Sequence, residues 1–187
     1  GLTPKAFLYG AELDREAARK GQVLMQEQLL RDLELEVTRK RNFEQRPLDE
    51  AGATQQAVSE RLMSRLRNAQ PSGRVVMQLE PGTQELPDLL LENGDRLYIP
   101  PLPTSIGVYG SVYNPGNYLF VGNRTLVDYL RLAGSATRQA DADSVFVVRA
   151  NGSVESLRQY ATFLGIGSSN FEKLPAQPGD TIVVPDE

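Results

Sequence analysis

The 187 residues predict an α+β fold: a small sheet crossed by one helix, present once whole and once in part, the partial copy split by a long helical hairpin. Three observations predict it. First, the chain repeats itself. Thr3, Ala6, Leu13 and Arg15 match Thr137, Ala140, Val147 and Arg149 at one offset of 134, and Gly94-Asp95-Arg96-Leu97-Tyr98-Ile99-Pro100 matches Gly179-Asp180-Thr181-Ile182-Val183-Val184-Pro185. Two copies of a small unit explain this better than one large fold. Second, Arg149 runs into Ala150-Asn151-Gly152-Ser153, and Asn-Gly between apolar runs signals a hairpin turn whose two residues accept positive φ. Arg15 instead runs into residues 16–72 before Gly73, which takes the part of Gly152. An insertion thus replaces a turn, which loop tips tolerate because closing a longer loop adds little cost. Third, the insertion is rich in Glu, Gln, Arg, Lys and Leu, with helical spacing.

The elements follow in order. Lys5–Leu13 reads as a strand. Residues 14–46 read as a long amphipathic helix: Leu30, Leu33 and Val37 share a face beside Ala18, Met25 and Leu29, and Glu27/Arg31 and Glu36/Lys40 are i,i+4 pairs. Pro47 stops it, residues 48–53 connect, and a second helix over about 54–69 carries Val58, Leu62, Leu66 and Ala69 on one stripe. Two such helices form an antiparallel hairpin. Arg74–Leu79 is the next strand, expected to pair with Lys5–Leu13, and Leu97–Ile99 is a third. Pro100, Pro101 and Pro103 make a stiff connector.

The second copy is compact. Ile106, Val108, Gly110 and Val112 alternate as a strand does. Asn114-Pro115-Gly116 is a turn with Gly116 at positive φ, and Tyr118–Val121 returns. Thr125 is an N-cap with Asp128 completing a capping box; Leu126, Tyr129, Leu130 and Ala133 form one helical face, and Gly134 is the left-handed C-cap. Val145–Arg149 and Val154–Leu157 flank the Asn-Gly turn, residues 158–178 are ambiguous with Gly165, Gly167, Ser168 and Ser169 suggesting loop, and Ile182–Val184 closes the sheet. The order ββαβββ is a β-grasp kind of roll. Residues 1–103 then hold the C-terminal half of a first copy with its insertion at about 16–72, and residues 104–187 hold a complete second copy.

Bulk composition narrows the function. Forty per cent hydrophobic and 24% charged residues are ordinary for a globular chain. No apolar run reaches the roughly 20 residues that span a bilayer. The net charge of −4 argues against a general nucleic-acid binder, which needs a basic face. There is no cysteine, histidine or tryptophan, which removes thiolate chemistry, the commonest general base and the commonest transition-metal ligand. The chain opens inside a repeat unit, as an excised or processed fragment would.

Residues 104–187 resemble an SLBB domain, the soluble-ligand-binding β-grasp module. The resemblance lies in Val108-Tyr109-Gly110-Ser111-Val112-Tyr113-Asn114-Pro115-Gly116-Asn117-Tyr118, in Thr125–Gly134, in Ala140 and Val147-Val148-Arg149, and in Pro178-Gly179-Asp180-Thr181-Ile182-Val183-Val184-Pro185. Gly134-Ser135 stands where that family usually has Gly-Gly. Tandem copies with a charged helical insertion are similar to outer-membrane polysaccharide export proteins of the Wza and KpsD type. The resemblance implies a non-catalytic periplasmic scaffold, associated with the outer membrane, that forms part of an oligomeric export vestibule. It implies a homo-oligomer, polysaccharide in transit and an inner-membrane export partner. A small-ligand- or sugar-binding β-grasp sensor is the alternative, and an adaptor whose helical arm dimerises is a third reading.

Two groups of residues are candidate sites. Tyr109, Tyr113, Asn114, Asn117 and Tyr118 cluster on one hairpin, and aromatic faces with amides suit sugars; tyrosines that simply favour strands beside a turn are the plainer reading of the same residues. Arg39, Lys40, Arg41 and Arg46 near the bend of the arm, with Arg61, Arg65 and Arg67 on its return, make either a docking arm or a solvated face balanced by Glu27, Asp32, Glu34 and Glu36. Asp141, Asp143 and Asn151 could chelate calcium or form a solvated loop, and the dense EF-hand run is absent. Gly165-Ile166-Gly167-Ser168-Ser169 lacks a phosphate-loop lysine and reads as flexible loop. Asp95 and Asp180 close matched turns. No catalytic residue, metal or cofactor is assigned, because nothing selects a carboxylate pair or a nucleophile.

Overall fold

The computed structural model describes residues 2–43, 60–61, 63–157 and 173–186. Among these residues are eight strands: β1 Glu12–Asp14, β2 Arg74–Val75, β3 Arg96–Tyr98, β4 Ser105–Gly110, β5 Gly116–Leu119, β6 Phe146–Val148, β7 Val154–Ser156 and β8 Thr181–Val184. Helix α1 is Glu16–Phe43 and α2 is Leu126–Leu132, with 3-10 turns at Leu8–Gly10 and Ala142–Ser144. Residues 60–61 and 63–68 are also helical. The chain forms two compact units: Gly1–Leu13 with Val76–Leu90 and Leu97–Glu187, and Asp14–Val75 with Leu91–Arg96.

The five-stranded sheet runs β5-β4-β8-β6-β7. Its central pair β4 and β8 is parallel, with Val108 opposite Ile182 and Gly110 opposite Val184. The outer pairs β4/β5 and β6/β7 are antiparallel hairpins. One face of this sheet carries α2, and Ile106, Val108, Leu126, Tyr129, Ala133, Val147, Ile182 and Val184 are all at most 1% exposed. Thr125 caps α2 as its spacing predicts: its hydroxyl accepts the Asp128 amide, and the Asp128 carboxylate accepts the Thr125 amide. The Thr125 amide, and with it the Thr125 hydroxyl donating to the same carboxylate, holds the Asp128 carboxyl below its ordinary range. Tyr129 fastens the helix to the end of β5, accepting from the Val121 amide and donating to the Leu119 carbonyl.

The order ββαβββ therefore holds, and the architecture is mixed α+β. Several local expectations do not hold. Lys5–Leu13 is not one strand: Leu8–Gly10 is a 3-10 turn and the strand is Glu12–Asp14. Strand Arg74–Leu79 shrinks to two residues, with Gln78 at φ 53°, a conformation no ladder accommodates. The third strand starts one residue early, at Arg96, and ends at Tyr98. Positive φ falls on Gly110 rather than Gly116, which lies in β5. The Asn151-Gly152 turn places only Gly152 at positive φ (86°). The Gly152 amide donates to Arg149 O and the Arg149 amide to Ser153 O, the pattern of a type I turn closed by a glycine bulge.

The three-stranded sheet runs β2-β1-β3, the same succession as β7-β6-β8. Its bonds recur at fixed offsets. The Ala6 amide donates to Thr3 O as Ala140 does to Thr137 O, and the Phe7 amide donates to Pro100 O as Asp141 does to Pro185 O. The bridge Ala6/Pro101 corresponds to Ala140/Asp186, and the turn Leu8–Gly10 to Ala142–Ser144. The Arg15 amide donates to Gly73 O as Arg149 does to Ser153 O, which makes Gly73 the counterpart of Ser153 rather than of Gly152. A second small core gathers Tyr9, Ala11 and Leu79, with Phe7, Met77, Leu86, Ile99 and Ala150 around them. Asn151 donates to the Leu79 carbonyl there at 2.8 Å.

Most of α1 is solvent-exposed, including Leu24 at 65% and Met25 at 66%. Among the described side chains, only Gln26, Leu30, Leu33 and Val37, spaced by four, three and four, form a half-buried line beyond its first turn. The side-chain amide of Gln26 donates to the Leu66 and Ala69 carbonyls, and Arg67 pairs with Glu34 at 2.6 Å, so residues 66–69 lie along this face. The rest of the expected second helix, with Val58 and Leu62, lies outside the described residues.

Candidate functional site

The β4/β5 hairpin separates the five expected sugar-contacting residues into two pairs and a singleton. On the sheet face away from α2, Tyr109 lies over Gly107: a Cβ there would sit 2.7 Å from the tyrosine ring. The Tyr109 hydroxyl donates to Asn117 Oδ1 at 3.1 Å across the hairpin, fixing an exposed ring beside an exposed amide. Tyr118 points the other way. Its ring packs on the main core, and its hydroxyl donates to the Asn114 carbonyl at 2.5 Å, closing the turn. Asn114 in turn donates its amide to Ala133 O. Tyr113 is 67% exposed at the turn and packs its Cβ against Gly134. Tyr118 and Asn114 thus hold the hairpin together, and Tyr109 with Asn117 form the surface a ligand would meet.

Under the other end of the sheet lies a charged centre that residue spacing did not reveal. Asp180 is fully buried and Arg149 is 6% exposed. Arg149 Nη1 donates to Asp180 Oδ2 at 2.6 Å and to the Pro175 carbonyl at 3.0 Å, and Nε donates to Glu155 at 2.8 Å. Asp180 Oδ2 also accepts the Gln177 amide, so turn chemistry accounts for half of its role. Burial pushes the Asp180 carboxyl up, against the pull of Arg149. The Tyr9 hydroxyl is pushed up to about 12, first by burial and then by the Asp180 charge. The same pair recurs at Arg15 and Asp95, joined by two bonds of 3.1 and 2.8 Å. Asp95 likewise accepts the amide three residues before it, that of Glu92. The Arg15 bond, with the Glu92 amide behind it, holds the Asp95 carboxyl low. The signal was available: an Arg and a Gly-Asp recur together in both stretches.

The remaining candidates scatter. Asp141 caps the 3-10 turn through the Ser144 amide, and Asn151 binds Ser153 and Leu79. Arg39, Arg61 and Arg65 are exposed, and Glu60, Arg61, Ser64 and Arg65 line one shallow hollow. Lys40 and Arg41 belong to α1, while the side chains of both lie outside the described residues, as do all of Arg46 and Gly165–Ser169. Arg67 is held by Glu34 and Arg31 by Glu27, as a solvated helix face would hold them. No helix among the described residues is long and apolar enough to cross a membrane.

Comparison with known proteins meets this geometry at the hairpin. The SLBB domain family matches residues 105–157, which run from β4 through α2 to the end of β7. Two Escherichia coli proteins, each described as polysialic acid transport protein KpsD, are 25% identical over 124 residues, or 66% of this chain. The chain spans about a fifth of the length of those relatives (19%). The family's residues are thus seated on this sheet and helix: residues 105–157 match the SLBB domain, and the chain is similar to polysaccharide-transport proteins of the KpsD kind.

Proposed function

We propose that this chain is a non-catalytic scaffold module of a periplasmic polysaccharide-export protein, associated with the outer membrane and forming part of an oligomeric vestibule for capsular or exopolysaccharide. The observation that carries the proposal is the SLBB match on a chain similar to KpsD-type proteins. Residues 1–15 and 73–103 are, in this reading, the C-terminal half of a first β-grasp copy. The shared strand succession, the shared bonds and the two Arg–Asp pairs support it. Residues 16–72 are then a helical hairpin grafted on a turn, serving as a docking arm for a neighbouring subunit or an inner-membrane partner. Replacing 16–72 by Ala-Asn-Gly restores the second copy's turn. In the full-length protein, electron microscopy is expected to show rings that this replacement disperses. Full-length protein that stays monomeric refutes the scaffold; rings that survive the replacement refute only the arm's role.

The Tyr109–Asn117 surface favours a second reading, a β-grasp module that binds sugar itself. A ring face and a free amide suit the C–H face and hydroxyls of a pyranose. Under it, titrating sialic acid oligomers or neutral glucans shifts the amide signals of Tyr109 and Asn117, and Tyr109→Ala abolishes the shifts. Unshifted signals in the parent chain remove this reading.

A further inference from the structure

β3 and β8 occupy the same place in their sheets and differ in one respect. β8 has β6 on one side and β4 on the other, whereas among the described residues β3 has β1 on one side and ends its sheet. The consequence is visible in exposure: Leu97 is 42% exposed and Tyr98 59%, while Ile182, the counterpart of Leu97, is 1% exposed. A strand edge with apolar side chains in water is a template for a further strand.

We infer that the outer edge of β3 receives a parallel strand from a hairpin–helix segment of the β4–β5–α2 kind, an inference that rests on reading residues 1–15 and 73–103 as a partial copy. What the edge selects follows from the occupied one. β4 runs parallel to β8 with Val108 on Ile182, Tyr109 on Val183 and Gly110 on Val184. The Ser111 amide donates to Val184 O at 2.8 Å. On β3 the same register sets an apolar residue against Leu97 and a glycine against Ile99. That glycine is demanded by distance: a Cβ on Gly110 would lie 2.1 Å from Val184 O. The occupant is therefore a polypeptide strand reading apolar–any–glycine, followed by a returning strand and a short amphipathic helix. β4 of a second copy is not free to serve, being paired on both sides.

The test uses a synthetic peptide of residues 104–134, which carries the required pattern, titrated into the intact isotope-labelled chain. The expected result is that the amides of Leu97, Tyr98 and Ile99 shift and exchange more slowly. A peptide with Gly110→Val does nothing, and a chain with Leu97→Glu no longer responds while its 181–184 amides keep their positions. Shifts confined to residues 181–184, meaning that the peptide replaced β4 in its own sheet, overturn the inference, as does no shift. The free chain separates the two levels. Amides of Leu13 and Asp14 that are unprotected from exchange sink the partial-copy reading itself; protected ones with no peptide response sink only the docking edge.

Discussion

Arg149→Met destabilises the chain by about 3–5 kcal/mol at neutral pH, because it leaves a carboxylate with no counter-charge in a fully buried position. Asp180 Oδ1 has no hydrogen-bond partner among the described residues, and Oδ2 keeps only the Gln177 amide once the guanidinium is gone. Burial already pushes this carboxyl up with Arg149 present. Without Arg149 the shift grows, and the folded chain holds the Asp180 proton more tightly than the unfolded one. Such a group adds stability below the unfolded carboxyl value, roughly 3.9, and loses it as pH rises through the folded value. The penalty of Arg149→Met therefore shrinks from pH 7 towards pH 4. Urea denaturation at several pH values reads this directly; a penalty that is flat or grows on acidification contradicts it. Adding Asp180→Leu to Arg149→Met recovers much of the loss, since neither charge is then stranded. Arg15→Met has the smaller effect, its side chain being 22% exposed beside Asp95.

The contrast between the two Arg–Asp pairs explains what the residue pattern could and could not disclose. Features written within one turn of chain were legible: the Thr125–Asp128 capping box, the inward pair Ile106 and Val108 of β4, and Gly134 at φ 83° behind α2. The half-buried line Leu30, Leu33, Val37 on α1 was legible for the same reason, being spaced at the helical period. The recurrence of Arg with Gly-Asp marked these positions, but their pairing was not legible, since the partners stand 31 and 80 residues apart and only folding brings them together. The early end of the strand at Arg74 was hidden because nothing in Gln78 announces a positive φ. At the hairpin the five tyrosines and asparagines looked alike in sequence. Their division into Tyr118 and Asn114, which close the turn, and Tyr109 and Asn117, which face outward, depends on strand register.

Gly110→Ala is the other large effect, again about 3–5 kcal/mol, in the range that needs a named structural cause. Two costs add. Gly110 sits at φ 92°, a conformation that charges an L-residue about 1–2 kcal/mol. Its added Cβ would also lie 2.1 Å from Val184 O and 2.9 Å from Val184 C, atoms of a buried backbone that cannot rotate aside. The central parallel pair must then separate where Ser111 donates to Val184, and β8 is the strand on which both halves of the sheet depend. Two other glycines divide the sum. Gly82 has φ 80° with open space around it, so Gly82→Ala carries the backbone cost alone. Gly122 has neither positive φ nor neighbours within 4 Å, so Gly122→Ala is near neutral. Denaturation midpoints of the three variants are expected to rank Gly110 far below Gly82 and Gly82 below Gly122. If Gly110→Ala falls no further than Gly82→Ala, β4 and β8 do not approach each other this closely, and the glycine that the β3 edge asks of its incoming strand loses its physical reason.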